Sequence, residues 1–291
     1  MKIKYALLTF VLVSFNFTLF AQLPETDIFL STISKTKTGL HFSTPENITN
    51  RPGYDNQPSF TPDGKNILFV AIADTTQSDV YTYSLLSKKI TQVTHTPVSE
   101  YSPSLNKKYN QYTVVRVDAD SGQRLYNLSA KDPANIRVIP NSDSVGYYCE
   151  LNDSMIAMFI LGPANTLQVL NTKTGERKLI ASDIGRCFRL SANNKRMYFV
   201  IKGNDAEWFI YSMDCKTFET ERIAPTLSGS EDYTLLADDK IIMGKDAQLF
   251  ILENNNWKMI ADFSSTIYSF YRIAVNREGT LLALVVYTNK K

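Results

Sequence analysis

The sequence predicts an all-β, six-bladed propeller of four-stranded antiparallel blades, and three observations carry that prediction. The stretch Pro58-Ser59-Phe60-Thr61-Pro62-Asp63-Gly64-Lys65-Asn66-Ile67-Leu68-Phe69-Val70 sets an Asp-Gly pair between two short apolar runs, which reads as a β-hairpin with Asp63 and Gly64 at the positive-φ positions of a two-residue turn. The pattern returns, weakened, at Leu105-Asn106-Lys107-Lys108, Leu151-Asn152-Asp153-Ser154, Leu190 to Lys195, Leu236 to Lys240 and Val275 to Gly279. The apolar anchors Phe60, Leu105, Leu151, Leu190, Leu236 and Val275 stand 45, 46, 39, 46 and 39 residues apart, and a period of ~40 to 45 residues with four strands per unit is that of a propeller blade.

Along the chain, Met1 to Ala21 carries Lys2 and Lys4, then an apolar run from Tyr5 to Phe20, then a small residue before a polar segment. This reads as a secretory signal peptide whose removal leaves Gln22 first; a retained anchor is disfavoured because the run is short of a ~20-residue span and is interrupted by Thr9, Ser14, Asn16 and Thr18. Residues 22 to 291 then form a single propeller domain with no linker and no helical period.

In the first full repeat the inner strand covers Ser59 to Thr61, the second Ile67 to Ile72, the third Asp79 to Leu85 and the fourth Lys89 to Thr94. Later third strands fall at Arg124 to Tyr126, Leu167 to Leu170, Trp208 to Tyr211 and Gln248 to Ile251, and fourth strands at Ile136 to Ile139, Arg177 to Ile180, Glu221 to Ile223 and Trp257 to Ile260. The last repeat has Tyr271 to Val275 and Leu281 to Tyr287 and then ends, while Asp27 to Leu30 and Asn47 to Asn50 match a third and a fourth strand. The N-terminal strands are therefore expected to complete the last blade and close the ring, which removes an open sheet edge. A membrane barrel would need ~10-residue strands of alternating polarity, whereas Ile67 to Ile72 and Leu281 to Val286 are continuous apolar runs, as in strands buried on both faces.

The 31 basic and 29 acidic residues become equal once Lys2 and Lys4 leave with the leader, so no basic excess supports a nucleic-acid partner. Cys149, Cys187 and Cys215 match no metal-site spacing; Cys149 and Cys187 lie two and three residues before their anchors, on opposite strand faces, so free thiols are expected. His41 and His95 lack a partner at ligand spacing, and the turn acids Asp63, Asp153, Asp238 and Asp239 lack a calcium-loop pattern, so neither metal nor cofactor is expected. Three N-x-S/T triplets, starting at Asn47, Asn127 and Asn152, are accounted for by turn and strand chemistry.

The run Pro58 to Lys65 followed by Asp79-Val80-Tyr81, with Pro103-Ser104-Leu105 and Leu125-Tyr126 as a partial copy, resembles the repeat of TolB-type, WD-repeat-like propellers of bacterial envelopes. The resemblance implies an exported protein, periplasmic or secreted, that binds another protein or a small ligand at the mouth of its central channel. Members with an α/β domain ahead of the propeller differ from this chain, where only the residues from Gln22 to Gln57 separate the leader from the first repeat. Relatives that cap serine peptidases carry a hydrolase domain, and no G-x-S-x-G motif is present.

In a propeller the loops leading into the inner strands converge on one mouth. Four and five residues before the anchors stand Asn56 and Asp55, Tyr101 and Glu100, Tyr147 and Gly146, Arg186 and Gly185, Asp232 and Glu231, and Tyr271 and Phe270. Four acids, one arginine and several aromatics there suit a cationic or hydroxyl-rich ligand, or a peptide presenting a basic group; the alternative is a solvated, ion-paired rim. The chain thus reads as a monomeric binding module. The competing reading is a carbohydrate-active or lyase-type enzyme with Asp55, Glu100, Glu231 or Asp232 as acid or base. A third is a scaffold that works through its blade edges.

Overall fold

The computed structural model describes residues 23–37, 39–73, 77–106, 108–204 and 207–288; the expected leader, Met1 to Ala21, lies outside them. Among the described residues there is no α-helix, and no helix is long and apolar enough to cross a membrane. The chain opens with β1 (Thr26–Thr36), β2 (Gly39–Phe42) and β3 (Glu46–Asn47). It continues through four-strand runs: β4 (Tyr54–Phe60), β5 (Asn66–Ile72), β6 (Asp79–Ser84) and β7 (Ile90–Gln92); then β8 (Glu100–Asn106), β9 (Gln111–Val117), β10 (Gln123–Ser129) and β11 (Ile136–Val138). Next come β12 (Val145–Asn152), β13 (Met155–Ile160), β14 (Thr166–Asn171) and β15 (Arg177–Ser182), then β16 (Arg189–Leu190), β17 (Arg196–Lys202), β18 (Trp208–Asp214) and β19 (Thr220–Pro225). The chain ends with β20 (Tyr233–Leu235), β21 (Ile241–Lys245), β22 (Gln248–Glu253) and β23 (Asn256–Asp262), then β24 (Phe270–Val275) and β25 (Leu281–Tyr287).

Each of β8–β11, β12–β15, β16–β19 and β20–β23 forms one four-stranded antiparallel sheet. The remaining strands share a nine-stranded sheet in the order β24-β25-β1-β4-β5-β6-β7, with β2 and β3 both on β1. Within it β1 lies antiparallel to β25 from Thr26 opposite Tyr287 to Thr32 opposite Leu281, while β1 and β4 meet only at Thr26 and Tyr54. The second strands are the most apolar because sheets cover both of their faces, and the core sits between neighbouring sheets. One cluster joins Ile28 and Ala283 to Ile67, Phe69 and Tyr83; another joins Ile242 and Leu249 to Phe270, Leu282 and Leu284. Burying each such side chain contributes roughly 1.5 to 3 kcal/mol.

The hairpin turns differ from the expected two-residue form. Only Gly64 takes positive φ, at 64°, and the hydrogen bonds Thr61 N–H to Asn66 O and Gly64 N–H to Thr61 O, both 2.9 Å, define a four-residue loop. It is a type I turn with Pro62 and Asp63 at its centre, followed by a left-handed residue, which suits Pro-Asp-Gly equally well. Asn194, Asp239 and Gly279 hold the same left-handed position in later repeats. A second difference lies in β1, which runs past the expected Leu30 to Thr36 and forms an additional hairpin with β2, the turn passing through Gly39 at φ 129°. The inner strands also begin earlier than expected, at Tyr54 and Glu100, because a bulge lets pairing resume before the Pro-Ser dipeptide.

The last hairpin depends on one side chain. Asn276 Oδ1 accepts the backbone N–H groups of Thr280 and Leu281 at 2.8 Å each, and its Nδ2 donates to Glu278 Oε2 and Thr280 Oγ1 at 3.0 and 2.9 Å. Asn276→Ala strands both backbone donors and is expected to cost about 1 to 3 kcal/mol, read as a lower urea midpoint at unchanged slope.

Candidate functional site

The inner strands β4, β8, β12, β16, β20 and β24 line a shared cavity of about 570 Å³. Two bulges shape its wall. Gln57 and Ser102 occupy equivalent bulge positions at φ 56° and 52°, each directly before a proline. A residue before proline prefers extended backbone, so both positions store conformational strain. Neighbouring sheets brace them: Ser102 N–H donates to Gln57 Oε1 at 2.5 Å.

At one end of the cavity a charged layer crosses from sheet to sheet. Asp232, just ahead of β20 and 5% exposed, accepts from Arg186 Nη2 at 2.5 Å and faces Arg272 Nε at 3.7 Å. Arg272, on β24, lies over the Tyr147 ring at 5.4 Å and its Nη2 stands 3.4 Å from the Tyr147 hydroxyl. Arg186 also faces Glu231 Oε1 at 3.6 Å and the Tyr271 ring at 6.0 Å. Glu231 Oε2 takes Lys202 Nζ at 2.8 Å and the Arg186 backbone N–H at 3.1 Å, and Lys202 in turn sits 4.5 Å from the Trp208 ring centroid. A Cβ on Gly185 would lie 2.8 Å from Glu231 Oε2, so that close approach needs glycine. Tyr271 stacks on Tyr287 at 4.8 Å and accepts a hydrogen bond from Asn56 Nδ2.

The ten residues expected at the mouth divide into two groups. Tyr147, Arg186, Glu231, Asp232, Tyr271 and Asn56 are brought together in this layer. Asp55, Glu100 and Phe270 are turned away from it, and Tyr101 packs beside the cluster containing Val115, Leu125 and Val145. Phe270 is core, against Phe263 and over Gly244. Asp55 and Glu100, both fully buried, belong to a latch that the repeat makes twice. Thr49 Oγ1 accepts Ile28 N–H at 3.0 Å, and Thr94 Oγ1 accepts Val80 N–H at 2.9 Å; six residues on stand Asp55, ion-paired with Arg51, and Glu100, hydrogen-bonded by Thr94 and Thr96. Thr26 Oγ1 and Ser78 Oγ donate to the Asp55 and Glu100 carbonyls at 2.9 and 2.8 Å.

The mouth is therefore not the acidic opening expected from residue type. Asp55 and Glu100 are buried away from the layer, Glu231 and Asp232 are ion-paired within it, and Arg272 and Lys202 add two cations from other positions of the repeat. Arg272 was findable: it follows Tyr271 by one residue, and the bulge in β24 between Phe270 and Arg272 exchanges which side chain faces inward.

Burial raises the Asp232 carboxyl, but Arg272 and Arg186 outweigh it and hold the group below its ordinary value. A carboxylate held ionised with both oxygens engaged is a poor proton donor, and Asp55 and Glu100 lie apart from it, so the set does not assemble an acid–base pair. Among the described residues no group of three His, Cys, Asp or Glu is placed to hold a metal. The three cysteines are free; burial pushes the Cys149 thiol up to about 12 and Cys215 up to about 11, which leaves both unreactive.

No family profile and no curated protein matches the sequence. Solved structures do match the fold. A protein assigned as a TolB from Agrobacterium tumefaciens superposes with a TM-score of 0.68 at 12% identity, over 91% of this chain and 99% of that one. TolB from Acinetobacter baumannii gives 0.60 at 12% identity over 89% of this chain, which spans 63% of the length of that protein. An oligogalacturonate lyase in complex with manganese gives 0.58 at 14% identity, over 84% and 80% of the two chains. The all-β architecture of four-stranded antiparallel sheets is thus a TolB-like propeller fold, and at these identities the likeness concerns fold alone.

The latch carboxyls make stability depend on pH. Burial outweighs Arg51 at Asp55 and Thr96 and Thr94 at Glu100, raising the two groups to about 6 and about 7. Because these values lie above the ordinary ones, the stabilisation is complete near pH 4 and is lost as pH rises through 6 and 7, by roughly 3 kcal/mol per group. The thermal midpoint is expected to fall between about pH 5 and about pH 8, and Asp55→Asn with Glu100→Gln to flatten that fall.

Proposed function

We propose that the chain is an exported, monomeric, six-bladed propeller that acts as a binding module, recognising a protein or peptide partner of the cell envelope at the mouth formed by the loops leading into the inner strands. The observation that carries this reading is the half-exposed Arg186–Glu231–Lys202 cluster, bordered by Tyr147, Tyr271 and Trp208. Arginine and aromatic side chains held in place by neighbours are the usual anchors of recognition surfaces. With three cations against two acids in the layer, the partner group it suits is acidic or a hydrogen-bond acceptor, not the cationic group that residue type alone favours.

In this reading the nine-stranded sheet is two blades in contact. The first is β4 to β7, and the last is β24 and β25 completed by β1 with β2 and β3. Support comes from the β1–β25 register, from the Asn56–Tyr271 hydrogen bond and from Gly64, where a Cβ would lie 3.3 Å from Glu278 Oε2. Export rests on the Met1 to Ala21 pattern.

Two experiments test the reading. A photo-crosslinking amino acid at Tyr268, exposed on a leading loop, is expected to capture the partner in intact cells, and the same group at Leu86, exposed between β6 and β7, is not; capture at Leu86 alone moves recognition to the blade edges. Deleting residues 22–50 removes the partner of β25 and is expected to produce aggregation or a large loss of thermal stability. A monomeric truncation with unchanged melting overturns closure.

A further inference from the structure

The latches hold two carboxyls that the mouth does not use. Asp55 and Glu100 are fully buried, and each sits where a leading loop enters an inner strand, Asp55 as the second residue of β4 and Glu100 as the first of β8.

Donors and acceptors in the second latch balance only with a proton on Glu100. The Thr94 hydroxyl accepts the Val80 N–H at 2.9 Å and gives its own proton to Glu100 Oε2 at 3.1 Å. The Thr96 hydroxyl faces two acceptors, Val98 O at 3.0 Å and Glu100 Oε1, with one proton for both. When the carboxyl is protonated, Glu100 donates to Thr96 and Thr96 to Val98 O, and every group is satisfied. When it is ionised, one of those acceptors loses its donor. Arg116, opposite Glu100 across β8 and β9, favours the ionised form but is turned to Asp118 Oδ1 at 3.4 Å and the Tyr126 ring at 5.2 Å. Asp79, which itself faces His95, opposes ionisation.

In the first latch two carboxyls share one guanidinium. Asp27 collects Asn47 Nδ2 at 2.7 Å, Thr49 Oγ1 at 3.1 Å and the Arg51 N–H at 3.4 Å. Asp55 is ion-paired with Arg51 through Oδ1, while its Oδ2 is buried without a partner. Arg51 and Thr49 favour its charge and Asp27 opposes it. A proton on Asp55 removes that repulsion and the cost of burying an uncompensated charge. The hydroxyl cap itself needs no acid: Ser142 accepts the Leu125 N–H at 2.9 Å and passes its proton to Ile139 O at 2.6 Å.

We propose that the two latches are proton-operated switches: each leading loop, 49–55 and 94–100, stays closed while its carboxyl holds a proton and opens locally when the proton leaves. Opening lifts the threonine hydroxyl from the third strand and lets the carboxylate reach water. It also frees the start of each inner strand, including Asn56, whose hydrogen bond to Tyr271 joins the first repeat to the last. The switch does not depend on what binds at the mouth.

The test is amide hydrogen exchange of the mature protein, each rate divided by the intrinsic rate at the same pH, read at Ile28, Val80 and Leu125. With Asp55 raised to about 6 and Glu100 to about 7, protection between about pH 5 and about pH 8 is expected to fall about tenfold at Ile28 and about fifty- to a hundredfold at Val80. Leu125, capped without an acid, is expected to keep its protection. Asp55→Asn is expected to abolish the fall at Ile28 and spare the one at Val80, and Glu100→Gln to do the converse; if either variant fails to fold, the unequal falls in wild type decide the matter. Flat protection at both capped amides, an equal fall at all three, or a fall that survives in the matching variant overturns the proposal.

Discussion

The Asp232 carboxylate, buried between Arg186 and Arg272, is the interaction on which the arrangement of the channel depends. Three consequences follow from placing one acid between guanidiniums that arrive from β24 and from the loop before β16. The charges are desolvated together, and Arg272 has Asp232 as its ion-pair partner, so removing Asp232 leaves a buried guanidinium unpaired, a loss of about 3 to 5 kcal/mol for a buried pair. The inner ends of separate sheets are tied by a contact that has direction and not only area. Arg272, drawn across to Tyr147, divides the mouth from the cavity below it.

The latches at Thr49–Asp55 and Thr94–Glu100 show why residue type at a repeat position was a poor guide to what faces the mouth. In these repeats the leading loop must satisfy the first backbone N–H groups of a third strand, and a threonine hydroxyl does so, Thr94 donating in turn to Glu100 six residues later and Thr49 to Asp27 Oδ1 at 3.1 Å. At Ser142 a serine serves the Leu125 N–H at 2.9 Å through a differently spaced loop, and no acid follows at that offset. Freed from the latch, the corresponding positions in later repeats carry Gly146, Gly185, Glu231 and Phe270, and Glu231 joins the charged layer that Tyr147, Arg186 and Asp232 build from the next residue along. Acids at one offset therefore do two unrelated jobs.

Strand order and spacing were legible because they follow from turn chemistry and burial, both local. Pro62-Asp63-Gly64 and the runs Ile67 to Ile72 and Leu281 to Val286 specify their hairpins without reference to the rest of the chain, and strands stand where those patterns place them. The Asp27 to Leu30 segment was readable as a third strand for the same reason, although its continuation to Thr36 and its pairing with β2 were not, since that hairpin has no counterpart in the repeat. The site was half legible. Which residues approach the channel is set by loop length, but which way each side chain points is set by bulges at Gln57, Ser102 and Tyr271, and a bulge is a one-residue change of register that apolar spacing does not record.

Those bulges also explain how a wall of β-strands acquires uneven polarity. A regular inner strand would alternate side chains between channel and core, giving every repeat the same lining. At Gln57 and Ser102, both of which line the cavity, the left-handed residue before proline interrupts that alternation. The two then diverge. Gln57 satisfies the backbone of the neighbouring sheet through its Oε1, whereas the shorter Ser102 side chain reaches no partner. Identical backbone strain thus yields a brace at one position and an unfilled donor at the other, and the difference is the length of one side chain.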